Sequence, residues 1–176
     1  VGAVKGSFED AVGEATRYRR RVRRPADDNK KLPIIFNDYM NCLSGDPTTE
    51  KELPLIDAAA AVGAEYYCID AGWYGEGDWW ETVGEWLPSP ERFPGGIKEV
   101  LSYIRSKGMI PGLWLEIEVV GINSPLAERA PDDWFFMRRG KRVISVGRYQ
   151  LDFRNPDVVK HADGVVERLV NEYGVG

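Results

Sequence analysis

Residues 65–74, Glu-Tyr-Tyr-Cys-Ile-Asp-Ala-Gly-Trp-Tyr, determine the fold predicted for this chain. An apolar run of strand-forming residues from Tyr66 to Ile69 ends at a carboxylate, Asp70, and two small and two aromatic residues follow. Buried parallel strands have continuous apolar sequences, and barrel enzymes place functional residues at the carboxyl ends of such strands. The stretch therefore predicts a buried strand with a functional acid at its end, although one such strand alone is equally compatible with a solvated strand end.

The same arrangement recurs along the chain. Residues 33–39, 109–118 and 149–153 predict three more strands, each of which ends near polar side chains. Because the carboxyl ends of parallel strands meet at one edge of a sheet, we expect these side chains to lie near each other. The acids and amides at or near the predicted strand ends are Asn37, Asp38, Asp70, Glu116, Glu118 and Asp152.

Helical patterns separate the predicted strands. Thr49-x-x-Glu52 is a capping-box sequence that predicts a helix start, and Gly63 predicts the end of that helix. Residues 97–108 have apolar positions at helical spacing and end in glycine, and Asn155 predicts the cap of a last helix. This alternation favours a parallel α/β sheet, and we predict a partial (β/α)8 TIM barrel. A full barrel needs roughly 250 residues, so the chain is expected to form about its first half.

The predicted domain organisation has two parts. Residues 1–32 predict an N-terminal helix and a polar linker, and residues 33–176 predict the truncated amino-terminal half of the barrel. Half a barrel leaves open sheet edges and an unfilled interior. We therefore expect a fragment of a longer protein or a chain that pairs with another one, and oligomer formation is left open.

Composition limits the classes of partner. The net charge is -5 and the pI about 5.1, which argues against nucleic acid, so we interpret the arginine-rich run at 17–24 as a solvated helix face. No run is apolar enough to span a membrane and no signal-peptide pattern is present, which predicts a cytoplasmic protein with no membrane partner. Cys42 and Cys68 lack metal-ligand spacing and predict reduced thiols, with one disulfide as the alternative. The only histidine, His161, lies in a helical pattern, and we predict neither histidine-based catalysis, nor a histidine-rich metal site, nor a cofactor.

Strand-end acids next to tryptophans favour sugar binding. Strand alternation would put Trp114, Glu116 and Glu118 on one face, and the long loop at 71–94 contains four of the six tryptophans. Carboxylates accept hydrogen bonds from sugar hydroxyls, and an indole face packs on the apolar face of a pyranose. Two alternatives stay open at this point: a divalent-metal site of a lyase, for which no lysine or histidine base is evident at a strand end, and a non-catalytic or structural fragment.

Several motifs in order carry a resemblance to a known family. The chain resembles the α-galactosidases of glycoside hydrolase family 36 over nearly its whole length. The motifs are Phe36-Asn-Asp-Tyr39, Ile69-Asp-Ala-Gly-Trp-Tyr74, Gly84-Glu-Trp86 with Arg92-Phe-Pro-Gly-Gly96, Gly108-Met-Ile-Pro-Gly-Leu-Trp-Leu-Glu-Ile-Glu118, Pro131-Asp-Asp-Trp134 and Gly147-Arg-Tyr-Gln-Leu-Asp152.

The resemblance implies a retaining hydrolase of terminal α-linked galactose, with two carboxyl groups about 5–5.5 Å apart. In the family the nucleophile lies in a Lys-x-Asp motif on the strand after the last helix, which puts it and the acid/base beyond Gly176. The resemblance therefore implies no catalytic residue in this chain. The remaining site is one for substrate binding, for an α-galactoside or a related sugar, and its residues are Asp70, Trp114 and Arg148, with Trp73 and Glu116 as further candidates.

Three positions depart from the family pattern. Many members have a second aspartate where this chain has Ala71, tryptophan where it has Tyr39, and proline where it has Ile117. One hydroxyl contact of the family is thus missing. The exact sugar stays open between galactose, N-acetylgalactosamine and another α-glycoside.

Overall fold

The structure, a computed structural model, describes residues 2–176, with the exception of the side chain of Asn41. The chain divides into two compact units, one up to Pro33 and one from Ile34 to Gly176. The division lies one residue after the boundary expected from the sequence.

Helices and strands alternate through the larger unit. The α-helices are α1 (Phe8–Val22), α2 (Asp28–Lys31), α3 (Thr49–Ala61), α4 (Trp79–Thr82), α5 (Ile97–Ser106), α6 (Pro125–Arg129) and α7 (Pro156–Glu167). The strands are β1 (Ile35–Asn37), β2 (Tyr66–Ile69), β3 (Ile110–Leu113), β4 (Val119–Gly121), β5 (Met137–Arg138), β6 (Lys141–Arg142), β7 (Ile144–Ser145) and β8 (Arg148–Gln150). Single turns of π-helix at Tyr39–Leu43 and Arg168–Tyr173 and of 3-10 helix at Asp132–Trp134 complete the elements.

The first unit contains the predicted N-terminal helix. Ser7 caps α1, since its hydroxyl accepts from the Asp10 amide while the Asp10 carboxylate accepts from the Ser7 amide. No residue of α1 is buried, and the arginines of the run at 17–24 are all exposed. The solvated basic face predicted from the sequence is what the structure contains.

A three-stranded parallel sheet is the centre of the larger unit. Its strand order is β1-β2-β3, and Tyr66 pairs with Ile35 on one side and with Ile110 on the other. α3 connects β1 to β2, and α5 precedes β3, so the predicted β–α alternation is confirmed for these strands. The carboxyl ends of all three strands lie at the same edge of the sheet.

Two strand predictions differ from the structure. β3 ends at Leu113 and not at Glu118, because β2 ends at Ile69 and offers no ladder partner further on. The alternation that was to place Trp114, Glu116 and Glu118 on one strand face is therefore wrong.

The strand predicted at 149–153 is β8, at Arg148–Gln150, and it does not join the parallel sheet. It pairs antiparallel with β4 and with β7 in a second sheet of order β4-β8-β7. β4 supplies its pairing partner, and this short strand was not predicted. The parallel part of the barrel accordingly has three strands.

Helices α3 and α5 cover the sheet with apolar side chains. Ile56 of α3 and Ile104 of α5 are fully buried, as are Tyr67 and Ile69 of β2 between them. Burial of each such aliphatic side chain contributes about 1.5–3 kcal/mol.

The predicted helix start is shifted by one residue. Thr48, rather than Thr49, caps α3 and accepts from the Lys51 amide at 3.4 Å. Glu52 does not complete a capping box, because its side chain points into the core and accepts from the Tyr67 hydroxyl. Gly63 follows the helix with φ +84°, which confirms the predicted glycine end.

Candidate functional site

Polar and aromatic residues follow each strand of the parallel sheet. Asn37 ends β1, Asp70 follows β2, and Trp114 follows β3 and extends the ladder by donating its amide to the Ile69 carbonyl at 2.9 Å. These residues share the carboxyl edge of the sheet, as the sequence predicted for strand-end side chains.

Asp70 is held in place by its neighbours. The side-chain amide of Asn37 donates to Asp70 Oδ2 at 2.5 Å, and the backbone amide of Ala71 donates to Asp70 Oδ1 at 2.7 Å. The Asn37 amide is itself oriented, since its Oδ1 accepts from the Tyr39 amide at 2.9 Å. Asp70 remains partly exposed, so its carboxylate is fixed in direction and accessible to a hydroxyl donor.

Trp73 is buried, in contrast to its predicted role as a ligand contact. Its indole is 0% exposed, and its Nε1–H donates to the Trp114 carbonyl at 3.0 Å. A ring with no exposed surface offers no face to a sugar. Direct contact by Trp73 therefore does not fit its position, and the residue instead anchors the backbone at Trp114.

Trp114 has a partly exposed ring among other aromatic rings. Its centroid lies 5.7 Å from that of Trp79 and 5.9 Å from that of Trp86, both edge-to-face, and 6.4 Å from Tyr74 in a stacked arrangement. Edge-to-face and offset contacts of this kind stabilise ring orientation beyond the area they bury. The indole of Trp114 is thus preorganised at the sheet edge.

Arg148 joins the second sheet to this edge. It is 8% exposed, forms an ion pair with Glu116, and places its guanidinium carbon 3.5 Å from the centroid of the Trp80 ring. Trp80 was not singled out in the sequence. Its place in the long tryptophan-bearing loop was the one available signal, because nothing in the spacing links residue 80 to residue 148.

The hydroxyl of Tyr74 is buried. Burial raises the pKa of Tyr74 well above its usual range, and the nearby charges of Glu116 and Asp70 raise it further while Arg148 opposes them. Trp114 stacks on the same tyrosine ring.

Close backbone contacts at two glycines hold the loops of the site together. Gly72, at φ +97°, lies against the backbone of Gly45, and Gly121 lies against the backbone of Glu81. An added Cβ at either glycine would come closer than 3.0 Å to a backbone oxygen. The loop after β2 is thereby fixed to the loop after β1, and α4 with its two tryptophans is fixed to β4.

Two of the predicted strand-end acids, Asp152 and Glu118, have other surroundings. Asp152 pairs with Arg154, whose hydrogen bonds lower the pKa of the Asp152 carboxyl, and Glu118 is exposed. A cleft of about 490 Å³ borders Tyr74 and Trp86, but neither Asp70, Trp114 nor Arg148 lines it. This cleft is therefore not the predicted sugar site.

Three further observations concern metals, thiols and membranes. Between residues 2 and 176, no three His, Cys, Asp or Glu side chains come together as ligands for a metal ion. Cys42 and Cys68 are free. No helix in that described part combines the length and the apolar character needed to cross a bilayer.

Comparison with known proteins gives a consistent result. The model of a protein family described as Melibiase matches residues 11–176. Alpha-galactosidase AgaA of Geobacillus stearothermophilus is 31% identical over 157 residues, covering 88% of this chain and 21% of that protein. The alpha-galactosidase of Escherichia coli is 30% identical over 141 residues, covering 78% of this chain and 18% of that protein.

Solved structures agree with the sequence comparisons. The crystal structure of the GH36 alpha-galactosidase AgaA A355E in complex with 1-deoxygalactonojirimycin matches with a TM-score of 0.78 and 26% identity, over 88% of this chain and 22% of that one. An AgaA variant in complex with raffinose matches with a TM-score of 0.77. The chain spans about a fifth of the length of the curated relatives it matches.

Proposed function

The chain belongs to the melibiase family, the α-galactosidases of glycoside hydrolase family 36, and from this membership we propose that it forms the galactose-recognition part of an α-galactosidase barrel. The reaction would be the hydrolysis of terminal α-linked galactose with retention of configuration. It would use a nucleophile and an acid/base carried outside residues 1–176. Two carboxyl groups about 5–5.5 Å apart are what such a mechanism requires.

The carboxyl edge of the parallel sheet carries this proposal: Asp70 follows β2, Trp114 follows β3 and donates its amide to the Ile69 carbonyl at 2.9 Å, and the ion pair of Glu116 with Arg148 lies two residues from Trp114 in the chain. In the proposed complex, Asp70 accepts hydrogen bonds from galactose hydroxyls, and the exposed part of the Trp114 ring packs on the apolar face of the sugar. Arg148 donates to the sugar, and Glu116 orients the guanidinium by pairing with it. The stacking of Arg148 on a tryptophan further limits its rotation.

Substrate choice follows from the position after Asp70. Relatives of this chain have been crystallised with raffinose and with stachyose, which are α-galactosides. Ala71 is 1% exposed and has no polar side chain, so this chain lacks an acceptor that many family members have there. We propose a galactoside as the first candidate and an N-acetylgalactosaminide as the second, because fewer acceptors reduce the discrimination against a substituted sugar.

Titration with galactose tests the proposal through tryptophan fluorescence. We expect a saturable change for the chain and binding at least about tenfold weaker for Asp70→Asn, since a hydrogen bond to a charged group contributes about 1.5–3 kcal/mol. The matched control is Asp152→Asn, which changes a strand-end acid that pairs with Arg154 and should leave the affinity unchanged. Absence of any saturable signal with galactose or N-acetylgalactosamine would contradict sugar recognition.

A second measurement separates an enzyme from a non-catalytic sugar-binding module. We expect the complete barrel that contains this chain to hydrolyse an aryl α-galactoside, and Asp70→Asn to raise KM. Sugar binding by the chain without turnover by that barrel would favour the binding module instead.

A further inference from the structure

Two carboxyl groups that the proposed chemistry does not use are buried directly behind Asp70. Asp38, which follows β1, is 2% exposed, and Glu52 of α3 is 0% exposed. Each of the two carboxyl groups shifts the pKa of the other, so the two side chains are neighbours. None of the ion pairs among residues 2–176 includes either carboxyl group, so no cation neutralises them there.

The four carboxyl oxygens have two donors between them. Asp38 Oδ1 accepts from the Asp70 amide at 2.7 Å, and Glu52 Oε2 accepts from the Tyr67 hydroxyl at 2.6 Å. The other two oxygens, Asp38 Oδ2 and Glu52 Oε1, are buried and have no donor. Two ionised carboxylates in this position would leave two negative oxygens unsatisfied and repelling each other, which is strongly unfavourable in a buried site.

A single proton resolves this arrangement. If Glu52 Oε1 carries it, the hydroxyl donates to Asp38 Oδ2 and both orphan oxygens are satisfied. We propose that Asp38 and Glu52 share one proton at neutral pH and that this pair is a positioning device that holds the backbone of Asp70. The shared proton is inferred from the burial of the two carboxyl groups and from their missing donors, whereas its consequence for sugar binding rests on the proposed function.

The surroundings of the pair favour the protonated form. Burial raises the pKa of Glu52 to about 9, and the hydrogen bond and charge of Asp38 add to this effect. Burial also raises the pKa of Asp38. The titratable groups that interact with the pair from the neighbouring elements are Asp70, Tyr67 and Cys68, and none of them is a cation. The hydrogen bond from Tyr67 lowers the pKa of Glu52, but burial and Asp38 outweigh it. Two interacting carboxyls of this kind release their protons in separate steps.

The pair connects to the site through one hydrogen bond. Asp38 Oδ1 holds the amide of Asp70, and the Asp70 carboxylate in turn accepts from Ala71 and Asn37. Loss of the shared proton would make Asp38 and Glu52 repel each other and would loosen the bond to the Asp70 amide. Alkaline pH is therefore expected to disorder the proposed sugar acceptor before the protein unfolds.

The pH dependence has a defined sign. Unfolded Glu52, with an ordinary pKa of 4.5, has lost its proton at neutral pH, whereas the folded pair retains one. The stability contributed by this proton is fully present below pH 4.5 and is lost as the pH rises through about 9.

Carboxyl 13C NMR of the whole chain tests the shared proton. We expect one protonated glutamic acid at neutral pH that is absent in Glu52→Gln and retained in Glu50→Gln, a control that changes an exposed glutamate of the same helix. The urea concentration at the unfolding midpoint should decrease for the parent and for Glu50→Gln as the pH is raised from about 6 to about 9. That of Glu52→Gln should fall less, because its amide donates to Asp38 without titrating. Two fully ionised carboxyls at neutral pH would overturn the proposal.

Hydrogen exchange at the Asp70 amide tests the positioning role without any ligand. Glu52→Leu removes the donor to Asp38 and should accelerate exchange of this amide at least tenfold relative to Glu52→Gln. Unchanged exchange in Glu52→Leu would overturn the positioning role. If that variant does not fold, a protection factor at the Asp70 amide of the parent that stays constant through pH 9 overturns it equally. Galactose affinity that falls with the same midpoint would extend the result to the sugar site, whereas a protonated pair in a chain that binds no sugar would refute only the proposed function.

Discussion

The contact between Arg148 and Glu116 makes a prediction that a double-mutant cycle can measure. Their side chains are 10% and 24% exposed, so the pair lies between the surface and fully buried cases. Breaking a buried pair costs about 3–5 kcal/mol, whereas an exposed pair contributes about 0–1 kcal/mol. For Arg148→Met, which keeps the apolar stem, we expect about 2 kcal/mol for the unpaired Glu116 carboxylate.

The stacking on Trp80 adds to this value. A cation over a tryptophan face contributes about 0.5–2 kcal/mol, and the guanidinium of Arg148 lies 3.5 Å from the ring centroid. The total expected for Arg148→Met is therefore about 3 kcal/mol of lost free energy of unfolding. Glu116→Gln alone should lose about 2 kcal/mol, because Arg148 is then buried without a counter-charge. The double variant should lose about 1–2 kcal/mol less than the sum of the two single losses, and this difference is the coupling energy.

Urea denaturation at neutral pH, followed by tryptophan fluorescence, measures the four corners of this cycle. The matched control cycle is Arg154→Met with Asp152→Asn, whose arginine is 82% exposed and whose coupling energy should stay below about 1 kcal/mol. Added salt should weaken the control coupling more than the Arg148–Glu116 coupling. A coupling energy for Arg148 and Glu116 no larger than that of the control would show that burial does not strengthen this ion pair.

Two further predictions concern packing and pH. Gly121→Ala should destabilise the chain by about 1–3 kcal/mol, because the new Cβ would clash with the backbone of Glu81. Gly164→Ala, on a helix face with no atom within 4 Å, should instead stabilise it by about 0.5–1 kcal/mol. The urea concentrations at the unfolding midpoints measure both effects, and equal shifts would contradict the close contact at Gly121. Burial lowers the pKa of His161, so the folded state disfavours the imidazolium, and stability should fall as the pH drops below 6.5, by at most about 1.4 kcal/mol per pH unit. His161→Gln should flatten this acid limb, and an unchanged slope between about pH 6.5 and pH 5 would show that His161 does not cause it.

The family resemblance and the alternation of strands and helices were both accessible from the sequence. Apolar runs that end in Asp38 and Asp70, with amphipathic helices between them, are local patterns that depend on the spacing of residues along the chain. They predicted the strands β1 and β2, the four long helices α1, α3, α5 and α7, and the acid Asp70 at the sheet edge. The same patterns overestimated the length of β3, because the length of a strand also depends on whether the neighbouring strand continues beside it.

Local patterns gave no information about which distant side chains touch. The stacking of Arg148 on Trp80, the burial of Trp73 and the carboxyl pair of Asp38 and Glu52 each join residues far apart in the chain. Glu52 illustrates this limit of local patterns. Its position in a capping-box sequence predicted a role at the helix start, but its side chain is buried in the core and accepts from the Tyr67 hydroxyl.

The order and type of the elements and the family came from the sequence by itself, because hydrophobic periodicity and contiguous motifs are properties of neighbouring residues. Only the tertiary structure decided which of the predicted residues are exposed, which acids are buried, and which strands share a sheet. Those properties depend on desolvation and on contacts between segments separated by tens of residues, and the spacing of neighbouring residues determines neither.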